Sequence, residues 1–203
     1  MLKKNDEILI KITDVTNEGS GVGRYEGMAV FVPLTTIDDL AKVLIVKVKK
    51  NYAYGKLLEL VEASKNRVEN DCPVFARCGG CVSRHITYQK ECEIKENQVK
   101  NCITRIGGID LEPKKIISAV SSERYRNKAQ FPISLKGKVG FFATHSHRVV
   151  ECEDCLLQPS EFSKICKTVE DFIGEFNVSI YNEETHSGLL RHVYLRKGTK
   201  TNS

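Results

Sequence analysis

Three cysteines within ten residues, in Cys72-Pro73-Val74-Phe75-Ala76-Arg77-Cys78-Gly79-Gly80-Cys81, constrain this chain more than any other stretch. The two glycines between Cys78 and Cys81 let two thiolates face one point, and thiolates at such short spacing can surround zinc or the irons of an iron–sulfur cluster. Either group usually takes four ligands, so a fourth must come from elsewhere in the chain. Cys152 and Cys155 are the candidates, whereas Cys92, Cys102 and Cys166 fall on apolar faces of expected helices and read as small core residues. Cys78, Cys81, Cys152 and Cys155 together would form two C-x2-C knuckles suited to structural zinc. Cys72, Cys78, Cys81 and Cys155 would instead form C-x5-C-x2-C plus one distant cysteine.

The chain has no apolar run long enough to span a bilayer and no apolar signal core behind Met1-Leu2-Lys3-Lys4-Asn5-Asp6, so a cytoplasmic protein without membrane contact is expected. In that reducing compartment eight cysteines are poor candidates for four disulfides, which leaves ligand and core roles. A length of 203 residues allows one domain or two small ones, and nothing in it asks for more than a monomer.

From Glu7 to Leu60 the pattern predicts short strands: Glu7–Ile12, Gly21–Tyr25, Met28–Val32, Lys42–Val48 and Tyr52–Leu60, with turns at Glu26-Gly27 and Lys50-Asn51. Five strands in so short a stretch predict a small barrel over residues 1–62. Gly19-Ser20-Gly21-Val22-Gly23 invites comparison with a dinucleotide loop, but another strand comes next instead of a helix, so bend or bulge glycines are the better reading. Residues 63–71 form a polar connection into a second domain over residues 66–203. There a helix carrying Tyr88, Cys92, Val99, Cys102, Ile103 and Ile106 on one stripe ends at Gly107-Gly108. Strands Lys128–Leu135 and Val139–Ala143 come next. A helix after Pro159 carries Phe162, Ile165, Cys166, Val169, Phe172 and Ile173, and strands Val178–Tyr181 and Leu189–Arg196 complete an α+β domain.

Charge is unevenly spread. Residues 66–150 carry fifteen Lys or Arg against eight Asp or Glu, while residues 1–65 are nearly balanced and residues 151–203 are acidic. Within residues 124–148 six basic side chains (Arg124, Arg126, Lys128, Lys136, Lys138 and Arg148) occur without an acid, interleaved with Phe131, Phe141, Phe142, His145 and His147. Cations for phosphates and rings for bases are what single-stranded RNA recognition requires. A solvated sheet face is the plainer alternative.

Cys78-Gly79-Gly80-Cys81, Cys155-Leu156-Leu157-Gln158-Pro159, Tyr125-Arg126-Asn127-Lys128, Gly140-Phe141-Phe142, Ser146-His147 and Leu190-Arg191-His192 together resemble the N-terminal portion of the bacterial 23S rRNA uracil-5-methyltransferases. The resemblance implies an OB-like TRAM barrel for RNA binding, then a domain in which Cys72, Cys78, Cys81 and Cys155 hold a [4Fe–4S] cluster. It implies 23S rRNA, as a single-stranded or hairpin segment containing uridine, as partner. Arg124, Arg126, Lys128, Phe131, His147, Arg148 and Arg191 are the expected RNA contacts. Full-length members continue into a Rossmann-like domain that binds S-adenosylmethionine and makes 5-methyluridine. No strand, glycine-rich loop and helix come after Arg196, so that domain is expected to be absent, the chain to be truncated, and no residue here to be catalytic. The rival expectation is a stand-alone RNA-binding or redox-sensing iron–sulfur protein.

Overall fold

The computed structural model describes residues 2–198 and 200–201; the expected chain end at Asn202 and Ser203 lies outside them. Among the described residues β1 (Glu7–Val15), β2 (Gly21–Tyr25), β3 (Met28–Val32), β4 (Leu40–Val48) and β5 (Tyr52–Glu62) close into a barrel in the order β1-β2-β3-β5-β4. Alternation decides the faces. Ile8, Ile10 and Ile12 of β1, Val30 and Val32 of β3, and Ala41, Val43 and Ile45 of β4 are buried together, while Glu7, Leu9 and Lys11 are exposed. Burying each large branched side chain contributes about 1.5–3 kcal/mol. The β3–β5 pair is parallel and the other neighbouring pairs are antiparallel.

Gly21 and Gly23 serve the close approach of strands. A Cβ on Gly21 would lie 2.1 Å from Thr35 Oγ1, and one on Gly23 would lie 2.5 Å from the Lys11 carbonyl, opposite a register slip of β1 between Ile12 and Asp14. A phosphate loop would need a helix at this point, and β2 stands there instead.

Asp39 ties the barrel to the segment that leaves β5. Its fully buried carboxylate accepts hydrogen bonds from the Thr36 amide (2.7 Å), the Ser64 amide (2.9 Å), and Arg67 Nε and Nη2 (2.9 and 2.7 Å). Arg67 Nη2 also donates to the Leu34 carbonyl at 2.7 Å. Burial pushes the Asp39 carboxyl up, but the Arg67 hydrogen bonds and the Ser64 and Thr36 amides outweigh it and hold the group below its ordinary value. The segment so pinned receives the Thr87 amide on the Asn66 carbonyl (2.8 Å) and sends the Val68 amide to the His85 carbonyl (3.1 Å). Thr87 then caps α1 (Tyr88–Asn101), its hydroxyl accepting from the Lys90 amide.

α1 buries Cys92 and Ile94 and runs into a π-helical turn, Cys102–Ile106, closed by the Gly107 amide on the Cys102 carbonyl. The expected apolar stripe does not continue along it. Val99, Cys102 and Ile106 are exposed, so Cys102 is not a core residue. These elements form one compact unit, Met1–Asn70 with Val82–Ser118, and Asp71–Cys81 with Ala119–Ser203 form another.

In the second unit β6 (Lys128–Pro132) pairs antiparallel with β9 (His192–Arg196), and β7 (Gly140–Phe142) with β8 (Val149–Glu151). α2 (Ser160–Glu175) lays Phe162, Cys166 and Ile173 into one cluster with Ala129, Phe131, Ile133 and Val139. The cysteine loop meets the end of β7, where the Gly79 amide donates to the Phe142 carbonyl at 2.9 Å and a Cβ would come within 3.0 Å of that oxygen. Among the described residues no helix is long and apolar enough to cross a membrane.

The expected fold class is corrected here. The barrel is present, but the second unit is not organised about an iron–sulfur loop: two small sheets and α2 enclose an apolar core, and no group of three or more His, Cys, Asp or Glu among the described residues is placed to hold a metal ion. Cys72, Cys78 and Cys152 instead pack against Val74, Ala143 and Val150 as small apolar surface.

Asp39→Asn should cost about 3–5 kcal/mol in denaturant unfolding, because it strands the half-buried Arg67 guanidinium. The folded Asp39 carboxyl lies below its unfolded value, so its contribution is fully present above the ordinary aspartate range and disappears as pH falls through the folded value. The deficit of Asp39→Asn relative to the parent should therefore shrink in acid. A deficit independent of pH would refute the assignment.

Candidate nucleic-acid interface

The β6–β9 ribbon has two unlike faces, set by parity. Ala129 and Phe131 turn into the core with Val193 and Leu195, whereas Lys128, Gln130, Tyr194 and Arg196 are exposed. The register places Lys128 opposite Arg196 and Gln130 opposite Tyr194, and Lys128 Nζ lies 6.0 Å from the centre of the Tyr194 ring. This is a cationic row with a ring in it. Gln130, Tyr194 and Arg196 were missed from the sequence, although alternation in His192-Val193-Tyr194-Leu195-Arg196 carries the signal once its partner strand is known.

The expected contacts fall into different settings. Phe131 is 5% exposed, its ring 5.1 Å from Phe141 and 6.4 Å from Phe162, so it supports the ribbon from within. Arg126 precedes β6 and is not on a strand with Lys128; its amide donates to the Leu157 carbonyl and its guanidinium lies 5.9 Å from the exposed Tyr125 ring. Arg148 is exposed, its amide held by Ser146 Oγ. Arg124 is a staple. Nη1 and Nη2 grip both oxygens of Asp154 (2.8 and 2.6 Å), and Nη1 also reaches the Cys155 and Gln158 carbonyls.

His147 and Arg191 converge on one acid. His147 Nδ1 lies 2.6 Å from Glu183 Oε2, Arg191 Nη2 donates to Glu183 Oε1 at 2.7 Å, and these partners, His147 first, hold the Glu183 carboxyl below its usual range. The His147 ring stacks on Phe142 at 5.2 Å, and Arg191 lies 5.1 Å from the Tyr181 ring. The acid that neutralises them sits 36 and 8 residues away in sequence, outside the acid-free stretch.

The barrel offers a second surface. Phe31, Tyr52 and Tyr54 form a ring triad with centroids 5.6–5.8 Å apart, and Lys47 lies opposite Tyr54 in the β4–β5 register. Strand order makes this triad: Phe31 pairs with Tyr54 through the parallel β3–β5 contact, which sequence spacing does not announce.

Of the four expected cysteine ligands, Cys72, Cys78 and Cys155 lie near one another, with Cys152 beside them. Burial pushes Cys78 and Cys155 up, and burial followed by Cys155, Cys72 and Cys78 pushes Cys152 up to about 12. Cys72, Cys78, Cys152 and Cys155 thus lie near enough to act on one another.

Residues 2–58 match the TRAM domain. The chain is 39% identical over 203 residues to an uncharacterized RNA methyltransferase of Clostridium tetani and 38% identical over 204 residues to one of Halalkalibacterium halodurans. Each alignment covers 98% of this chain and 44% of the relative, so the chain spans under half the length of these relatives. In fold it is similar to the tRNA (uracil-54, C5)-methyltransferase of Pyrococcus abyssi, solved with S-adenosyl-L-homocysteine, with a TM-score of 0.68, 23% identity, and coverage of 96% of this chain and 44% of that one. These matches support an RNA methyltransferase family. The expected absence of a Rossmann-like domain does not stand as part of the fold class, because each alignment describes less than half of the matched protein.

Arg124→Ala should speed amide exchange at Gln158, whose amide donates within the loop that Arg124 staples, and should cost no more than about 1 kcal/mol because both partners are partly solvated. Unchanged exchange there would show that the loop stands without it.

Proposed function

We propose that this chain is the RNA-recognition part of an S-adenosylmethionine-dependent RNA uracil-5-methyltransferase acting on 23S rRNA. The observation that carries the reading is the outward row Lys128, Tyr194 and Arg196 on the β6–β9 ribbon, cations and a ring on one face with their apolar neighbours turned inward. The TRAM match of residues 2–58 and the RNA methyltransferase names of the relatives support RNA as partner. The neighbour's complex with S-adenosyl-L-homocysteine supports S-adenosylmethionine as methyl donor. Here the chain's own residues bind and orient. Lys128, Arg196, Arg126 and Arg148 meet phosphates while Tyr194 and Tyr125 take base faces, and the barrel of residues 1–62 adds its ring triad to the surfaces within residues 66–203.

Binding of a uridine-containing 23S rRNA hairpin should weaken linearly in log salt, by about 0.7 per phosphate contacted on single strands. Lys128→Ala with Arg196→Ala should flatten that slope by one to two contacts' worth, about 0.7–1.4. If the double variant keeps both affinity and slope, the ribbon is not the interface. Preference for a tRNA arm over the 23S hairpin would move the substrate to the class named for the Pyrococcus abyssi neighbour.

Glu183 occupies the cationic groups that a phosphate would use. Glu183→Gln should therefore tighten hairpin binding about two- to tenfold at low salt, with the gain fading as salt screens it. Weaker binding by this variant would show that Glu183 orders His147 and Arg191 for RNA instead of masking them.

A further inference from the structure

Within the barrel-containing unit a half-open cavity of about 130 Å³ lies between the β1–β2 connection, the Thr35-Thr36 corner and α1. Thr35, Thr36, His85, Ile86 and Ile94 are its buried lining, while Asn17, Val82 and Lys95 are exposed at its rim. Thr36 is 1% exposed and its amide is spent on Asp39, so the corner is fixed. Its hydroxyl has no hydrogen-bond partner among the described residues. A buried hydroxyl left unmatched costs about 1–3 kcal/mol, which a ligand supplying the partner recovers.

Size and charge restrict that ligand. A cavity of about 150 Å³ holds one benzene-sized ring, and cofactor pockets run to about 300–1,000 Å³, so this one admits a single six-membered ring and no nucleotide cofactor. Burial, followed by the Arg67 charge, lowers the pKa of His85 and keeps the imidazole neutral, and the two charged side chains of the lining, Glu91 and Lys95, pair with each other, which leaves no unmatched charge among the lining residues to attract a phosphate. A flat neutral ring with apolar faces and a hydrogen-bonding edge satisfies both conditions.

We propose that this cavity receives one unpaired pyrimidine base, its ring against Val82, Ile86 and Ile94 and its polar edge toward the Thr36 hydroxyl. The proposal rests on the RNA-binding reading above, which supplies the strand that delivers the base. Unstacking a base costs a few kcal/mol and is cheapest where it is already unpaired, so a loop nucleotide is the natural occupant.

The test titrates the intact chain, labelled at isoleucine methyls, with uridine, adenosine and the uridine-containing 23S rRNA hairpin. The Ile86 and Ile94 methyls should shift with the hairpin and with uridine at millimolar concentration, and not with adenosine. Thr36→Val should keep or raise the melting temperature, since it removes an unmatched hydroxyl, and should weaken hairpin binding about 2–10-fold, the worth of one neutral hydrogen bond. Should that variant unfold, Val82→Trp at the exposed rim closes the mouth without entering the core and should show the same loss. Hairpin binding with salt dependence intact but both methyls silent would overturn the base site and leave the RNA reading standing. No hairpin binding at all would overturn both, and equal shifts with adenosine would overturn the choice of a pyrimidine.

Discussion

The buried pairing of Asp39 with Arg67 is the constraint on which the first unit depends. The carboxylate satisfies four donors, and those donors come from the corner before β4 and from the segment that leaves β5. A barrel of strands this short ends in backbone groups that water would otherwise have to satisfy. Asp39 gathers them into one site and, through the Asn66 and His85 carbonyls, fixes where α1 begins. Such a pair is weak evidence of net stability, because desolvation offsets much of its Coulomb energy. Its effect is placement: with it, the Thr35-Thr36 corner and the start of α1 take one arrangement, and the cavity between them has defined walls.

In the second unit charge matters by its partners. The acid-free stretch of residues 124–148 suggests a continuous cationic face, yet Arg124 is spent on Asp154, Lys138 on Glu170, and His147 on Glu183. The acids come from α2 and from the segments around it. The alternate face of the ribbon is left open to solvent, and there Lys128 and Arg196 oppose each other. Like charges directly opposite across a ladder are destabilising in water, so an interface that neutralises them gains from a strain already present in the free protein.

The barrel was legible because alternation in Glu7–Val15 and Leu40–Val48 survives without tertiary context, and because β-turn signals punctuate it. Boundaries shifted by about two residues where β4 and β5 extend into their partners' hydrogen bonding. The glycines were legible for the same local reason. The cysteines were legible only in part. Spacing shows which thiols can approach one another, but the fold decides which do, and packing against Val74, Ala143 and Val150 brings Cys152 in beside Cys72 and Cys78. Phe131 failed on parity: interleaving of rings and cations looks the same whether the ring faces RNA or the core, and Ala129 and Ile133 settle it by lying on the same buried side.

Arg124 shows why residue type alone underdetermines a role. It has the charge and the neighbours of a phosphate ligand, and a sequence without coordinates offers no reason to separate it from Arg126. The separation is geometric. A guanidinium is a planar fork, and once both prongs meet one carboxylate and two carbonyls its directional hydrogen bonds are committed, so a phosphate would have to break several charge-assisted bonds to gain two. Arg126 lies against a ring and keeps its fork free for such a ligand, at the cost of a weaker cation–π contact. Two residues apart in sequence, the same side chain holds a loop together in one case and faces solvent as a candidate contact in the other, and the difference lies in Asp154, thirty positions away.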